Sequence, residues 1–432
     1  MYHVAKIDVH GFWGRYRVST PIFPNVTFLI GENGSGKTTL INLIAACLAA
    51  DFLALDKLNF RKVEITLISV NDRRKKPKII VEKKMDSGTG IESIEYLIFN
   101  TSKSEPIRFS LDDIEEQRML RRRPTAPSFH MRHSKRTRDL TFALSRLVSM
   151  VWLSIHRSTL LNDLDERRAP ERGYDSTVDV KLSELSVRLS RYYSSLVSLR
   201  DQSVRTFQEF TFMSLLDERD NARLFSLVKD VDIEEQRAAL VEAFERLGVR
   251  KERFSAKANR YFSTIKSVKN SEGNRLTVQQ IQAMVVLQQI QQITKKWTEE
   301  KARQDDIFKD INAFMDIINS LLKRKSLKVN DSFELSTLND KGDDVSVFQL
   351  SSGEKQLLIL LGEALLQEHR SCIYIADEPE LSLHLRWQEK IVPSILQLND
   401  NAQLIVATHS PDIIGPYSSH VVRMEDLLVE EQ

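Results

Sequence analysis

Four short segments of this sequence carry residue types that can handle a phosphate. The first is Gly31-Glu32-Asn33-Gly34-Ser35-Gly36-Lys37-Thr38, which fits G-x-x-x-x-G-K-[ST]. Glycines at these positions let backbone N–H groups curl around phosphate oxygens, with Asn33 and Ser35 between them. Lys37 sets a point charge against β and γ phosphates, and Thr38 offers a hydroxyl to Mg²⁺. The run from Thr39 to Ala50 reads as a helix whose positive N-terminus faces the same anion. The second segment, Cys372 to Pro379, is an apolar strand ending in Asp377 and Glu378. Asp377 suits Mg²⁺, and Glu378, one residue on, suits polarising an attacking water. In the third, Ala407-Thr408-His409-Ser410-Pro411, another apolar run ends on a histidine placed to sense a γ-phosphate. The fourth, Leu350-Ser351-Ser352-Gly353-Glu354-Lys355-Gln356, precedes the apolar helix Leu357 to Leu366. A small hydroxyl-bearing turn opening a helix is an anion site as well as a plain cap.

Such residues need strands and helices to aim them. Met1 to Val9 and Val26 to Ile30 read as strands, the second running straight into the glycine turn. Lys62 to Val70 and Ile79 to Lys83 read as further strands, and Met150 to Ile155 as a buried one. Cys372 to Ala376 and Gln403 to Ala407 have the layout of parallel strands whose C-terminal ends carry chemistry. Between these α/β stretches, glycine and proline nearly vanish. Leu182, Leu185, Leu189, Tyr192, Leu196 and Leu199 form one heptad seam, and Ile307, Ile311, Phe314, Ile318 and Leu321 another. Thr277 is placed to cap a helix running to about Lys323, roughly 70 Å long at ~1.5 Å per residue. Two seams, one entering and one leaving, suggest an antiparallel hairpin; an ordinary helical bundle is the plainer alternative. The expected division is therefore an α/β lobe over 1–177, a helical coiled-coil insertion over 178–325 and a second α/β lobe over 326–432.

The chain has 432 residues, 41% hydrophobic and 28% charged, with a formal net charge of +2. That composition reads as globular, and the near-neutral balance leaves any nucleic-acid role to local clusters. No stretch approaches the ~20 apolar residues that span a bilayer. The N-terminus lacks a signal-peptide pattern. Cys47 and Cys372 lie far apart and outside metal-ligand spacing, so a cytoplasmic protein with reduced thiols is expected. One local cluster stands out. Arg118, Arg121, Arg122, Arg123, Arg132, Lys135, Arg136 and Arg138 are interleaved with Phe129, His130 and His133. It reads equally as a surface for nucleic acid or an acidic partner and as a solvated loop. Arg73 to Lys78 is a second basic run, in an expected hairpin turn, where the solvated reading is the stronger.

The order GENGSGKT, LSSGEKQ, IADEPE, ATHSP resembles the ABC-type ATPase heads of the SMC and recombination class. The resemblance covers about residues 1–60 and 326–420. It implies an α/β ABC-type head from which a coiled-coil arm projects, binding ATP with Mg²⁺. It also implies that the turn from Ser351 to Glu354 completes the ATP site of a second head, Ser351 and Gly353 acting in trans. Lys37 and Thr38 would hold phosphate and Mg²⁺, Asp377 Mg²⁺, Glu378 would be the base and His409 the switch. Leu381-Ser382-Leu383-His384 sits where the family's dimer-contacting loop lies. Ser352 stands where glycine is common. The arm lacks C-x-x-C, which excludes a zinc hook, and it is too short for a chromosome-scale SMC protein. Transporter ATPases do not carry such an insertion. DEPELSLH followed by ATHSP is similar, more narrowly, to the ATPases of the overcoming-lysogenisation-defect group, which includes the ATPase subunits of two-gene antiphage systems such as Septu, PARIS and some retrons. In the nucleases of that group a TOPRIM domain follows the head, and the residues after His409 are expected to leave no room for one. The resemblance thus implies a separate effector nuclease, of HNH or TOPRIM type, a head-to-head homodimer or larger ring, and a nucleic-acid or phage-protein trigger. The rival expectation is a RecF-like repair clamp that binds DNA directly; a scaffold that binds ATP without turnover is a third.

Overall fold

The computed structural model describes residues 1–70, 72, 74–85, 92–101, 105–111, 130–153, 177–214, 228, 231–246, 248–270, 277–330 and 332–431. They divide into two compact units, Met1–Ser190 with Ala313–Gln432, and Arg191–Asn312. The first is the α/β head and the second is all helix.

In the head, β1 (Tyr2–Phe12), β2 (Tyr16–Pro21), β4 (Lys62–Ser69), β5 (Lys78–Met85), β6 (Glu92–Phe99), β7 (Ile107–Leu111) and β15 (Leu428–Glu430) form an antiparallel sheet in the order β15-β2-β1-β4-β5-β6-β7. Alternation drives it. On β4, Val63, Ile65 and Leu67 are buried while Lys62, Glu64 and Thr66 are not. The outward face carries a ladder of opposite charges, in which Lys62 and Lys78 both pair with Glu64. Lys78, the end of the second basic run, is therefore already neutralised within the sheet.

The second sheet is parallel, in the order β14-β3-β13-β12-β8, with β3 (Val26–Ile30), β8 (Met150–Trp152), β12 (Cys372–Asp377), β13 (Ala402–Ala407) and β14 (Val421–Arg423). Its strands interleave chain from before and after the insertion, so neither flank can complete the sheet alone. β12 and β13 are buried at every residue, as a sheet covered on both faces requires. Helix α1 (Lys37–Ala49) lies between the sheets. Its Leu40, Ile41, Leu43 and Ile44 share one core with Val9, Val63 and Ile65 of the antiparallel sheet and with Ile373, Ile375 and Ile405 of the parallel one. Two buried polar ties fix the stack. The Gln403 amide clamps β1, accepting from Val4 N–H at 2.8 Å and donating to Val4 O at 2.7 Å. Tyr96 donates to Cys47 O at 3.2 Å. A third, small antiparallel sheet joins β9 (Lys325–Val329), β10 (Leu335–Asn339) and β11 (Asp344–Ser346).

Further helices along the chain are α2 (Phe52–Lys57), α3 (His130–Leu147), α4 (Thr177–Met213), α5 (Ile233–Arg246) and α6 (Lys251–Lys269). The last long helix differs from expectation. Thr277 does cap α7 (Val278–Ile307), in a capping box with Gln280, but the helix breaks at Phe308, with φ −96° and ψ 1°, before α8 (Lys309–Leu321). One continuous helix to Lys323 is thus corrected to two segments. The simple hairpin is corrected as well, because α5 and α6 also pack on α7. Ile265, Val268, Met284 and Leu287 form one cluster, and Phe207, Ala243 and Trp297 another. Apolar residues of α5 and α6 outside either seam needed burial, and α7 supplies the surface. Of the entering seam, Leu182, Leu185, Leu189 and Leu196 are buried, Tyr192 is half-buried and Leu199 is exposed. Leu185 sits against Gly362 of a head helix.

Candidate functional site

Parallel pairing places the C-terminal ends of the strands along one edge, where open α/β sheets carry their ligands. The register is in line: Asp377 is opposite Ala407, Ala407 opposite Leu29, and Ile30 opposite Arg423. The loops after β3, β12, β13 and β14 therefore all leave from the same edge. Gly31 to Thr38 meets Asp377, Glu378 and His409 there, although Thr38 and Asp377 are 339 residues apart in the chain.

The first loop is a tight cradle. A Cβ at Gly31 would lie 2.6 Å from a Glu425 oxygen and 2.7 Å from Ser35 Oγ. Gly36 has φ 97°, caps α1, and would drive a Cβ to 2.9 Å from the Trp13 ring. The N-terminus of α1 has no side-chain cap and no acid in its first turn, so its positive end stays open to an anion. Lys37, 5% exposed, donates to the carbonyls of Gly31 and Glu32, each at 2.9 Å. Burial lowers its pKa, and the carboxylates of Glu378, Glu425 and Asp377 oppose that. Ser35 Oγ is buried and has no hydrogen-bond partner among the described residues. An orphan hydroxyl, an open helix end and a cradle without room for a side chain at Gly31 or Gly36 fit a phosphate group.

Thr38 Oγ1 donates to Asp377 Oδ1 at 3.2 Å. A hydroxyl beside a buried carboxylate is a hard oxygen pair of the kind Mg²⁺ takes. Among the described residues no group of three or more His, Cys, Asp or Glu side chains could hold a metal, so phosphate oxygens and water would have to complete such a site. Glu378 is half-buried and has φ 50°, a left-handed conformation that costs a non-glycine residue about 1–2 kcal/mol. The sheet holds it there: its N–H donates to Ala407 O at 2.8 Å. His409 is exposed and lines a cleft with Gly31, Glu32, Arg423 and Glu425.

The turn from Ser351 to Glu354 has different company. Ser351 caps α9 (Ser352–Leu365) in a capping box, accepting from Glu354 N–H at 3.4 Å while Glu354 accepts from Ser351 N–H at 2.8 Å. Lys325 Nζ donates to the same carboxylate at 2.8 Å. Burial pushes the Glu354 carboxyl up, but the bonds from Lys325 and Ser351 outweigh it and hold the pKa low. Glu354 is therefore occupied in holding the turn together. Ser352 is exposed, and Gly353 is fixed by a close approach, since a Cβ there would lie 2.4 Å from Ser382 O. This turn thus rests on the loop that follows Glu378. That loop ends where His384 caps α10 (Leu385–Leu398), accepting from Arg386 N–H at 3.3 Å. Phe348, Leu381 and Leu385 beside it are exposed at 38%, 43% and 61%.

Three residues escaped the sequence reading. Glu425 accepts the Glu32 N–H at 2.8 Å, a bond that lowers its pKa. Trp13 keeps 37% of its surface exposed while resting on Gly36. Glu380 bonds the loop that carries His409. No motif marks the first two; the third stands inside DEPE and could have been found by asking what its carboxylate is for. Of the basic cluster, Arg118 to Phe129 lie outside the described residues. His130, Arg132, His133, Lys135, Arg136 and Arg138 belong to α3, with Arg138 exposed.

No helix among the described residues is long and apolar enough to cross a membrane. Over 99 residues the sequence is 31% identical to a retron Vc95 probable ATPase of Vibrio cholerae serotype O1 biovar El Tor, matching 20% of this chain and 19% of that protein. Over 91 residues it is 36% identical to a retron Ec83 probable ATPase of Escherichia coli, matching 18% and 17% of the two chains. The chain thus spans under a fifth of the length of these curated relatives. Among solved structures, the Smc head domain with an extended coiled coil from Pyrococcus furiosus, bound to the C-terminal domain of ScpA, aligns over 100% of this chain and 97% of its own, at 15% identity and a TM-score of 0.43. The Smc head domain with a coiled coil and joint from Pyrococcus yayanosii aligns over 100% and 98%, at 14% and 0.38. The model of the AAA ATPase domain matches residues 3–414, and the chain belongs to that family.

Proposed function

We propose that the chain binds ATP with Mg²⁺ and hydrolyses it slowly, as the sensor and scaffold of a bacterial antiphage defence complex that restrains a separate nuclease of HNH or TOPRIM type. The observation that carries the ATP part is the row of loops at the edge of the parallel sheet, where Lys37, Thr38, Asp377, Glu378 and His409 converge. The defence part rests on the likeness to retron probable ATPases.

In this reading the loop from Gly31 to Gly36 and the α1 N-terminus hold the phosphates, with Asn33, Ser35 and Thr39 among the groups that face them. Lys37 leaves the carbonyls of Gly31 and Glu32 for the β and γ phosphates. Thr38 and Asp377 hold Mg²⁺, which when bound neutralises charge on the phosphate oxygens. Glu378 orients a water at the γ-phosphorus and accepts its proton as the P–O bond to the departing ADP breaks. His409 contacts the γ-phosphate. Ser351, Ser352 and Gly353 serve the partner's nucleotide, with Glu354 holding their turn in shape. The exposed Phe348, Leu381 and Leu385 beside that turn support a pairing face there.

Two outcomes test the nucleotide site. Lys37→Ala is expected to weaken ATP binding at least ~100-fold, because two charge-assisted phosphate contacts go with the ammonium. Calorimetry on the folded variant reads this, and unchanged affinity would remove the loop from ATP binding. Trp13 offers its exposed face to the base beside the phosphates. Trp13→Ala should weaken ATP about 5- to 100-fold while leaving pyrophosphate affinity unchanged, since stacking serves the base alone. Equal losses for both ligands would place Trp13 under the loop as packing only. For the complex, the chain is expected to co-purify with the product of a neighbouring gene in an ATP-dependent manner. Failure to hold any nuclease, with or without ATP, would count against the scaffold role.

A further inference from the structure

The loop after Glu378 is joined to the loop carrying His409 by side chains that no nucleotide contact requires. Glu380 Oε1 accepts two hydrogen bonds, from Thr408 Oγ1 at 2.6 Å and from the His409 N–H at 2.9 Å. Glu380 Oε2 is buried and has no hydrogen-bond partner among the described residues. A second tie lies behind the first. Gln388, 7% exposed, donates to Leu383 O at 3.0 Å and accepts from Ser410 Oγ at 2.7 Å. Ser410 in turn accepts Asp412 N–H at 3.2 Å, closing the turn after His409. The backbone of the same loop meets the helix opened by Ser351, through Gln356 Nε2 donating to Pro379 O at 2.8 Å.

We propose that Glu380 is a positioning residue for His409, holding the histidine's backbone at the height where its ring can reach the γ-phosphate. The inference rests on His409 serving hydrolysis, as proposed above. The physical case is economy of donors. His409 is itself exposed on a loop, and a loop backbone has many accessible conformations unless its polar groups are bonded. One carboxylate oxygen fixes two consecutive residues, the Thr408 hydroxyl and the His409 amide. Charge-assisted bonds of this kind are about twice as strong as neutral ones. Because Glu380 is two residues from Glu378, any shift of the loop after β12 carries His409 with it. The base and the γ-phosphate contact are thereby set by one element.

The unpartnered Oε2 makes a sharp substitution available. Glu380→Gln keeps an oxygen for both donors, so neither hydrogen bond is lost, but both become neutral and the buried amide NH₂ gains no acceptor. Glu380→Ala loses both bonds and leaves two donors unpaired.

The test measures ATPase kinetics of the full chain for Glu380→Ala, Glu380→Gln, His409→Ala and the double variant Glu380→Ala/His409→Ala. Expected are a kcat about 10- to 100-fold lower for Glu380→Ala with KM within about 2-fold of wild type, and recovery in Glu380→Gln part of the way to the wild-type rate, because its two bonds are neutral. His409→Ala and the double variant should have equal rates, because a residue acting only through His409 has nothing left to position. Thr408→Val, which removes one donor alone, should lie between wild type and Glu380→Ala, and it carries the argument if Glu380→Ala does not fold. Full activity of Glu380→Ala beside a slow His409→Ala overturns the inference and leaves the role of His409 standing. Multiplied rather than equal losses in the double variant also overturn it, as does a Glu380→Gln as slow as Glu380→Ala. A His409→Ala chain as fast as wild type removes His409 from hydrolysis, and the inference with it.

Discussion

Glu378→Gln is expected to leave ATP bound and lower kcat about 10²- to 10⁴-fold, the range over which a positioned general base contributes. The change is nearly isosteric, and the bond that fixes the position belongs to the backbone, the Glu378 N–H to Ala407 O at 2.8 Å. The amide should therefore occupy the same site at φ 50° without new strain. What disappears is the capacity to take a proton from water. Lys37 also loses a neighbouring anion, one of three carboxylates that oppose the lowering of its pKa by burial, so ATP affinity should stay equal or change little. Single-turnover hydrolysis with calorimetric affinity on the same preparation separates the two effects. Equal rates for wild type and variant would take Glu378 out of the chemistry and leave Asp377 as the acid of consequence.

The parts of this site that could be read from sequence are those built from contiguous chain. The loop from Gly31 to Thr38 carries its own reasons: glycines at 31 and 36 where side chains would collide, a lysine and a hydroxyl at fixed spacing, and a helix straight after. Asp377 and Glu378 were visible because six consecutive apolar or acidic residues must be a buried strand and its end. Glu425 was not, since a lone acid far from any motif becomes part of the site only when β14 pairs with β3. Trp13 was hidden for the same reason, its contact with Gly36 depending on how β1 stacks over α1. In the arm, seam spacing identified helices but not their number. Leu240, Phe254 and Phe262 follow no seam, and only the assembled unit shows them buried. Phe308 has nothing in its type that announces a break, because local propensity there is overruled by packing.

Mixing two inactive chains is expected to restore hydrolysis. Lys37→Ala disables the phosphate loop and leaves the Ser351 turn intact; Ser351→Arg does the reverse. The arginine removes a cap worth about 1 kcal/mol and places a long side chain where a partner's nucleotide would approach. The Ser351 turn is bonded to Lys325 and seated on Ser382, on the loop that also presents the exposed Leu381. The proposed pairing face lies on this turn and loop. In a two-fold pair each chain would contribute one half to each of two sites, and nucleotide would tighten the pair by linkage. A mixed pair then holds one site made of two intact halves and one with both halves broken. With equal amounts pairing at random, half the pairs are mixed and each has one working site of two, so recovery should approach about a quarter of the wild-type rate if the sites act independently. Each variant alone should stay inactive, and Ser351→Arg should still bind ATP as an isolated head. Absence of recovery, with mixed pairs demonstrated by differently tagged chains, would mean that the site is complete within one chain or that both sites must fire together. A tagged pair in which only one chain carries Ser351→Arg separates these: half the wild-type rate means a site complete within one chain, and none means obligate concerted firing.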